Sequence, residues 1–381
     1  MDSQKINHLN SGFIDMRKTI LYIIFTLSLN TFCCKEVYNP EISTTQKILV
    51  VDGFITNEAK VFTIRLSTAV RFDSTGYIPE TGANVYITDN LGNRFDLTDH
   101  GAGNYMSDST SFIPQIGLKY TLNIETKNKK EYKSSEQEML PKGTLSEVSN
   151  KAQIKPFYLT VDGDLRSVNV TGAEFLVSLN LSTEKNPYFR FSNTVFLEFI
   201  SRTSLRMDYP YYCWKRYNPN EYFNINDNAY SNSGQFEHDL GFFPVDTFFY
   251  SIVKERVNLN GTPPKFYYIY KDVYQYITSF KQYHLNKDVY QYYQLLNKLL
   301  EAKQRILDPV AFQISGNITC LTDPNEQVFG MFEASSTNTN TYVIDRNLTS
   351  SSYQIRPISL DLDRISDSGI SDSIPPSFWV Y

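Results

Sequence analysis

The sequence is poor in the residues that most often carry chemistry. It has four cysteines, four histidines and two tryptophans in 381 residues. It has no HExxH pattern, no GxSxG elbow, no phosphate loop and no dinucleotide fingerprint, so no zinc hydrolase, serine hydrolase, nucleotide-phosphate or NAD enzyme leaves its signature here. No metal or other cofactor is implied. Positive charge is lacking too: 36 Lys and Arg stand against 41 Asp and Glu, a net charge of −5. Nucleic acid, which demands concentrated positive charge, is therefore not an expected partner. No apolar run reaches the roughly twenty residues that a membrane-spanning helix needs.

What is present begins with a leader. Met16-Arg17-Lys18 precedes the apolar run Ile20 to Leu29, interrupted by Thr26 and Ser28. A short basic stretch before about ten apolar residues is a secretory signal, removed after export. The alternative is a short buried helix. Residues 1 to 15 lack an apolar core, so they read as an upstream extension of a start at Met16. The run ends in Thr31-Phe32-Cys33-Cys34. Lipoprotein processing requires a cysteine behind a small residue, and Cys33 can be that residue. Residues 1–33 are thus expected to be cleaved, leaving Cys34 as the lipidation site. Its partner is then the lipid bilayer, because two or more acyl chains anchor a protein durably. Thr31 and Phe32 depart from the usual pattern, and modification of Cys33 instead would put Phe32 at the cleavage position. Residues 34–45, with Lys35, Glu36 and Pro40, form a polar tether.

Once Cys34 is acylated, Cys213 and Cys320 remain. They form either a disulfide, favoured in an oxidising compartment, or two unrelated buried thiols. The sequence is rich in tyrosine and phenylalanine, 28 and 26 residues. Their alternation fits cross-strand pairing in sheets better than a sugar-stacking platform.

From Lys47 to Met139 the pattern is β. Phe62, Ile64 and Leu66 alternate with Thr63, Arg65 and Ser67, the period of a strand with one buried face. Asp89-Asn90-Leu91-Gly92-Asn93 and Lys127-Asn128-Lys129-Lys130 are turn sequences, the first with Gly and Asn residues that tolerate positive φ. Gly82 to Asp89, Leu97 to Tyr105 and Gly117 to Leu122 are similar to the immunoglobulin-like or transthyretin-like modules of bacterial envelope proteins. Residues 46–140 are accordingly expected to form a β-sandwich, with a linker at Pro141-Lys142-Gly143.

Residues 141–381 read as a larger β-rich domain. Phe175, Val177, Leu179 and Leu181 alternate, as do Val195, Leu197 and Phe199. Between Met207 and Pro244, Asn-rich and Pro-punctuated sequence with scattered aromatics reads as long loops, where binding tends to reside. Tyr211, Tyr212 and Trp214 are the candidate binding residues there. One amphipathic helix is expected over residues 287–306. Asn286 is its N-cap, and Val289, Tyr292, Tyr293, Leu296, Leu299 and Leu300 form a stripe that packs on the sheet. Asp361, Asp363, Asp367 and Asp372 match no calcium loop and read as a solvated acidic segment. Glu237-His238-Asp239 reads as polar side chains turned to solvent rather than as a metal site.

Several stretches carry a more specific likeness: Val50 to Thr56, Cys213-Trp214, Val289 to Tyr293, Asp308-Pro309-Val310, Ile314 to Ile318, Asp323 to Ser335 and Pro376 to Trp379. Through them the chain resembles a family of Bacteroidota outer-membrane lipoproteins built on a domain of unknown function. Relatives often carry further cysteines near the C-terminus, whereas residues 321–381 have none. The resemblance implies a lipid-anchored outer-membrane protein, and the charged pair Lys35-Glu36 behind Cys34 resembles the surface-export signals of Bacteroidota lipoproteins, which leaves a surface-exposed body as one of two orientations. Because many members are encoded beside TonB-dependent transporters, it also implies a non-enzymatic accessory or binding role with such a transporter as partner. The alternatives are a structural or adhesive envelope protein and, ranked lower, a glycan-processing enzyme whose carboxylates meet only in space.

Overall fold

The computed structural model describes residues 48–69, 78–145, 147–161, 164–180, 187–202, 211–217, 223–226, 235–244, 270–302, 314–349 and 352–358. The first nine strands are short: β1 (Leu49–Thr56), β2 (Thr63–Thr68), β3 (Ile78–Pro79), β4 (Asn84–Asp89), β5 (Arg94–Asp99), β6 (Asn104–Met106), β7 (Lys119–Glu125), β8 (Glu131–Ser134) and β9 (Gln137–Glu138). Mostly longer strands follow: β10 (Val148–Val161), β11 (Asp164–Asn180), β12 (Phe189–Arg202), β13 (Tyr211–Tyr217), β14 (Asn224–Ile225), β15 (Gln235–Pro244) and β16 (Tyr270–His284). The helix α1 (Lys287–Ala302) precedes β17 (Ile318–Cys320), β18 (Val328–Thr349) and β19 (Ser352–Ile358). The protein is mainly β, with one helix among the described residues.

One curled sheet runs in the order β13-β12-β16-β18-β1-β2-β6-β5-β4-β7-β8-β17, and a separate sheet runs β10-β11-β15. In the N-terminal part, alternation sends Val51 and Ile55 of β1, Ile64 and Leu66 of β2, Val85 and Ile87 of β4, and Leu122 and Ile124 of β7 into a common core. The turns do what their residues allow. Asp89 accepts the backbone N–H groups of Leu91 and Asn93, both at 2.9 Å, and Gly92 supplies the positive φ of 88°. In the second turn the positive φ falls on Lys129.

Strand β18 joins the two expected halves. Its first part pairs in parallel with β1, from Leu49↔Val328 to Thr56↔Ser335, and its second part pairs antiparallel with β16, from His284↔Ser336 to Gln275↔Asp345. Phe332 and Ala334 lie in the N-terminal core, while Tyr342 and Ile344 lie in a second core with Phe175, Phe243 and Phe280. Strand β17 likewise returns to pair with β8. The sandwich expected from residues 46–140 is therefore completed by strands from the last quarter of the chain, and Lys47–Tyr381 forms one compact unit. The presumed linker is pinned: the Pro141 carbonyl accepts from His284 Nδ1 at 2.6 Å and from Ser336 Oγ at 3.0 Å.

The helix starts where expected and packs on the sheet through Val289 and Tyr290, both fully buried. Its first turn is tied differently. Asn286 offers its carbonyl to Tyr290 N–H, but its side chain donates to the Glu138 and Ala334 carbonyls, and Asp288 accepts from Gln137 Nε2 at 2.7 Å. Residues 303–306 of the expected helix lie outside the described residues.

Candidate functional site

The face of the sheet beneath α1 is built by two strands in parallel register. Val50 stands opposite Phe329, Asp52 opposite Met331 and Phe54 opposite Glu333. Alternation turns these residues toward the helix, while Val51, Ile55, Phe332 and Ala334 face the sandwich core. At its N-terminal end α1 sits down on Tyr283, Leu285 and Met331. Further along, Leu296 and Leu299 are half-buried, and Phe54, Phe223 and Leu295 are exposed. The helix thus stands off the sheet and leaves an open trough of about 550 Å³, with Val50, Phe54, Phe329 and Met331 below and Tyr292, Tyr293, Leu296 and Leu299 above. Gly330 is required in this floor: its φ is +94°, and a Cβ there would collide with the Val51 backbone.

A buried ion pair lies beside the trough. Arg190 of β12 donates through Nη2 to Glu333 Oε1 at 3.1 Å, with both side chains largely or wholly buried. Glu333 also accepts from the Tyr293 hydroxyl at 2.5 Å and from Ser335 Oγ. The guanidinium stacks over the Tyr283 ring at 3.9 Å and lies 5.2 Å from the Tyr293 ring. Burial works against the charge on Arg190, but Glu333 outweighs it and holds the pKa above its ordinary value. Burial and then Glu333 push the Tyr293 hydroxyl well up, so it remains a donor. This cluster fixes the side chain that forms one wall of the trough. Among the described lining residues Asp52 is the only charged one. It is exposed, 3.8 Å from Arg65 Nη1, and the neighbouring Tyr292 hydroxyl is raised by burial and by Asp52.

A second ion cluster lies elsewhere on the sheet. Glu58 bonds both Lys281 and Lys60 at 2.8 Å, with Lys281 buried. Burial alone would raise the Glu58 carboxyl, but the hydrogen bonds and charges of the two lysines outweigh it and hold its pKa at about 2. A smaller cavity near the β4–β5 turn, about 230 Å³, is lined by Asp89, Asn93, Thr110 and Tyr120. Asp89 is occupied there by the turn it organises.

The residues singled out from sequence fall elsewhere. Tyr211, Tyr212 and Trp214 do not sit on a long loop: they belong to β13, opposite Ser201, Ile200 and Glu198 of β12. Alternating aromatics satisfy a strand as well as a loop, and the asparagines and prolines around them obscured the pattern. Of the cysteine pair Cys213 and Cys320, the structure describes the side chain of Cys320. Cys320 is a buried free thiol, 3.3 Å from Thr322 Oγ1 and 3.7 Å from Glu326 Oε2, on the last strand of the sheet order, while Cys213 lies on the first. His238 is buried, its Nε2 2.6 Å from Asn224 Oδ1 and its ring stacked on Phe191, whereas Glu237 is exposed and paired with Lys151. Among the described residues no three of His, Cys, Asp and Glu gather as a metal site. Cys34 and the acidic segment Asp361 to Asp372 lie outside the described residues.

Sequence reasoning did not pick out Arg190, Glu333 or Asp52. The available signal was an acid inside the apolar run Phe329 to Ala334, since a carboxylate in a strand buried on both faces needs a partner.

The family model described as "Domain of unknown function (DUF4249)" matches residues 35–341. Comparison with curated proteins and with solved structures found no match.

Proposed function

We propose, for a chain that belongs to the DUF4249 family, the role of a non-enzymatic binding component held at the outer membrane through acyl chains on Cys34, working beside a TonB-dependent transporter. The trough under α1 carries the binding part. Its volume lies in the range of small-molecule sites, roughly 300–1,000 Å³, and its walls are apolar and aromatic with few polar groups, the usual make-up of such sites. Glu333, the buried acid beside it, is engaged by three donors, an arrangement that positions a wall rather than moves a proton.

The anchor rests on the leader pattern. The transporter rests on the resemblance to Bacteroidota lipoproteins. The shared strand β18 weighs against the adhesive reading in which the N-terminal sandwich is an exchangeable spacer, because replacing residues 46–140 would strip β18 of its partner β1. Mass spectrometry of the mature N-terminus is expected to find Cys34 acylated, and an unmodified terminus overturns the anchor. Affinity capture after mild detergent extraction is expected to recover a transporter, and repeated recovery of the protein alone overturns that partnership.

A further inference from the structure

We infer that the trough accepts a small elongated amphiphile carrying one positive group, its apolar part lying along α1 and its cation at Asp52; this rests on the binding role above and specifies its ligand.

Shape comes first. The helix residues from Tyr292 to Leu299 cover about 10 Å of axis, and the floor from Val50 to Phe54 covers about 13 Å of strand. Such a slot suits a chain or a single ring with a short tail, laid parallel to the helix. Its contacts are with Phe54, Phe329, Met331, Leu296 and Leu299, none of which offers a hydrogen bond.

Charge then selects the head group. Asp52 is the single charged lining residue among those described, and it stands on the floor opposite Met331. Its neighbour Arg65 is 3.8 Å away, with both side chains more than half exposed, and Arg65 also bonds Asn104 Oδ1. An exposed pair at that distance contributes little, so an incoming cation can replace Arg65 at small cost. Two other cations near it among the described residues are already committed: Arg190 to Glu333, and Lys60, 5.7 Å over the Phe54 ring, to Glu58. An anionic ligand would therefore meet Asp52 with no free positive partner among the described lining residues. A cation would meet a carboxylate flanked by the Tyr292 ring, whose face also attracts positive charge.

Three matched probes test this on the full chain carrying Cys33→Ser and Cys34→Ser, which keeps it free of acyl chains and detergent: 4-phenylbutylammonium, 4-phenylbutanol and 4-phenylbutyrate, titrated calorimetrically. The ammonium probe is expected to bind about 5-fold tighter than the carboxylate, the effect of about 1 kcal/mol from one partly exposed charge. Asp52→Asn is expected to level the three, and Leu296→Trp, which fills the slot, to weaken all of them. Equal or tighter binding of the carboxylate, or a cation preference that survives Asp52→Asn, overturns the ligand assignment while leaving the trough as a binding site. If none of the three probes binds, the trough reading falls with it.

Discussion

The two faces of β18 are closed in different ways. Along its first part, Val328, Phe332 and Ala334 point into a dry sandwich core, while Phe329, Met331 and Glu333 point toward a helix that covers them incompletely. One face is closed by apolar packing alone. The other is held by an ion pair, a tyrosine hydroxyl and a helix anchored at one end. The same strand thus supplies the rigidity on one side and the accessible slot on the other, which is how a site stays shaped without being filled.

Substitutions on the two sides sharpen that contrast. Phe332→Ala, on the closed face, leaves a cavity that the sandwich cannot collapse around, and a loss of about 4 kcal/mol is expected in denaturant unfolding. Arg190→Met, on the open face, strands Glu333 and is expected to cost about 3 kcal/mol. Unlike the Phe332 loss, part of this returns in the double variant Arg190→Met/Glu333→Met, because the unpaired buried charge is removed while the Tyr293 hydroxyl and Ser335 Oγ lose their acceptor. Failure of the double variant to recover would mean that the pair's geometry, and not its charge balance, holds α1.

The Glu58 cluster gives a smaller, pH-dependent difference. Its folded pKa of about 2 lies below the ordinary value of 4.5, so the stabilisation is present above pH 4.5 and is lost as pH falls toward 2. After discount for the half-exposed Lys60 it is on the order of 2 kcal/mol. Comparing unfolding at pH 5 and pH 2.5 in the parent and in Glu58→Gln checks it, since the variant should show a correspondingly smaller drop. The smallest effect is expected at Leu299→Ala, on the half-buried wall of the trough: a stability change under about 1 kcal/mol, with a weaker affinity for every probe. A loss as large as that of Phe332→Ala would show the slot to be core.

The strand-rich architecture was legible because its signals are local. Phe62, Ile64 and Leu66 alternate and are buried, Asp89 to Asn93 turns as an Asx-type loop, and the stripe from Val289 to Tyr293 docks. The trough was not, because it arises where residues 50–54, 292–299 and 329–331 meet, and no linear pattern encodes that meeting. Tyr292 and Tyr293 were visible as part of a stripe, yet a stripe says only that a face is covered. Whether it is covered along its whole length depends on how far Tyr293 and Glu333 hold the helix over the sheet. Cys213 and Cys320 carry the same lesson: an even count says nothing of which strands the two residues occupy.

The parallel pairing of β1 with β18 has a consequence for how the molecule is made. Asn57, just past β1, accepts a hydrogen bond from the Thr337 backbone N–H across 280 positions of chain. A nascent polypeptide emerging from N- to C-terminus exposes the inner edge of its first strand until almost all of the rest has been delivered. Closure of so long a loop is slow, and an unprotected strand edge invites pairing with other chains. Folding therefore depends on the late strand reaching that edge before another chain does, and truncation before Val328 should give an aggregating product rather than a stable N-terminal fragment.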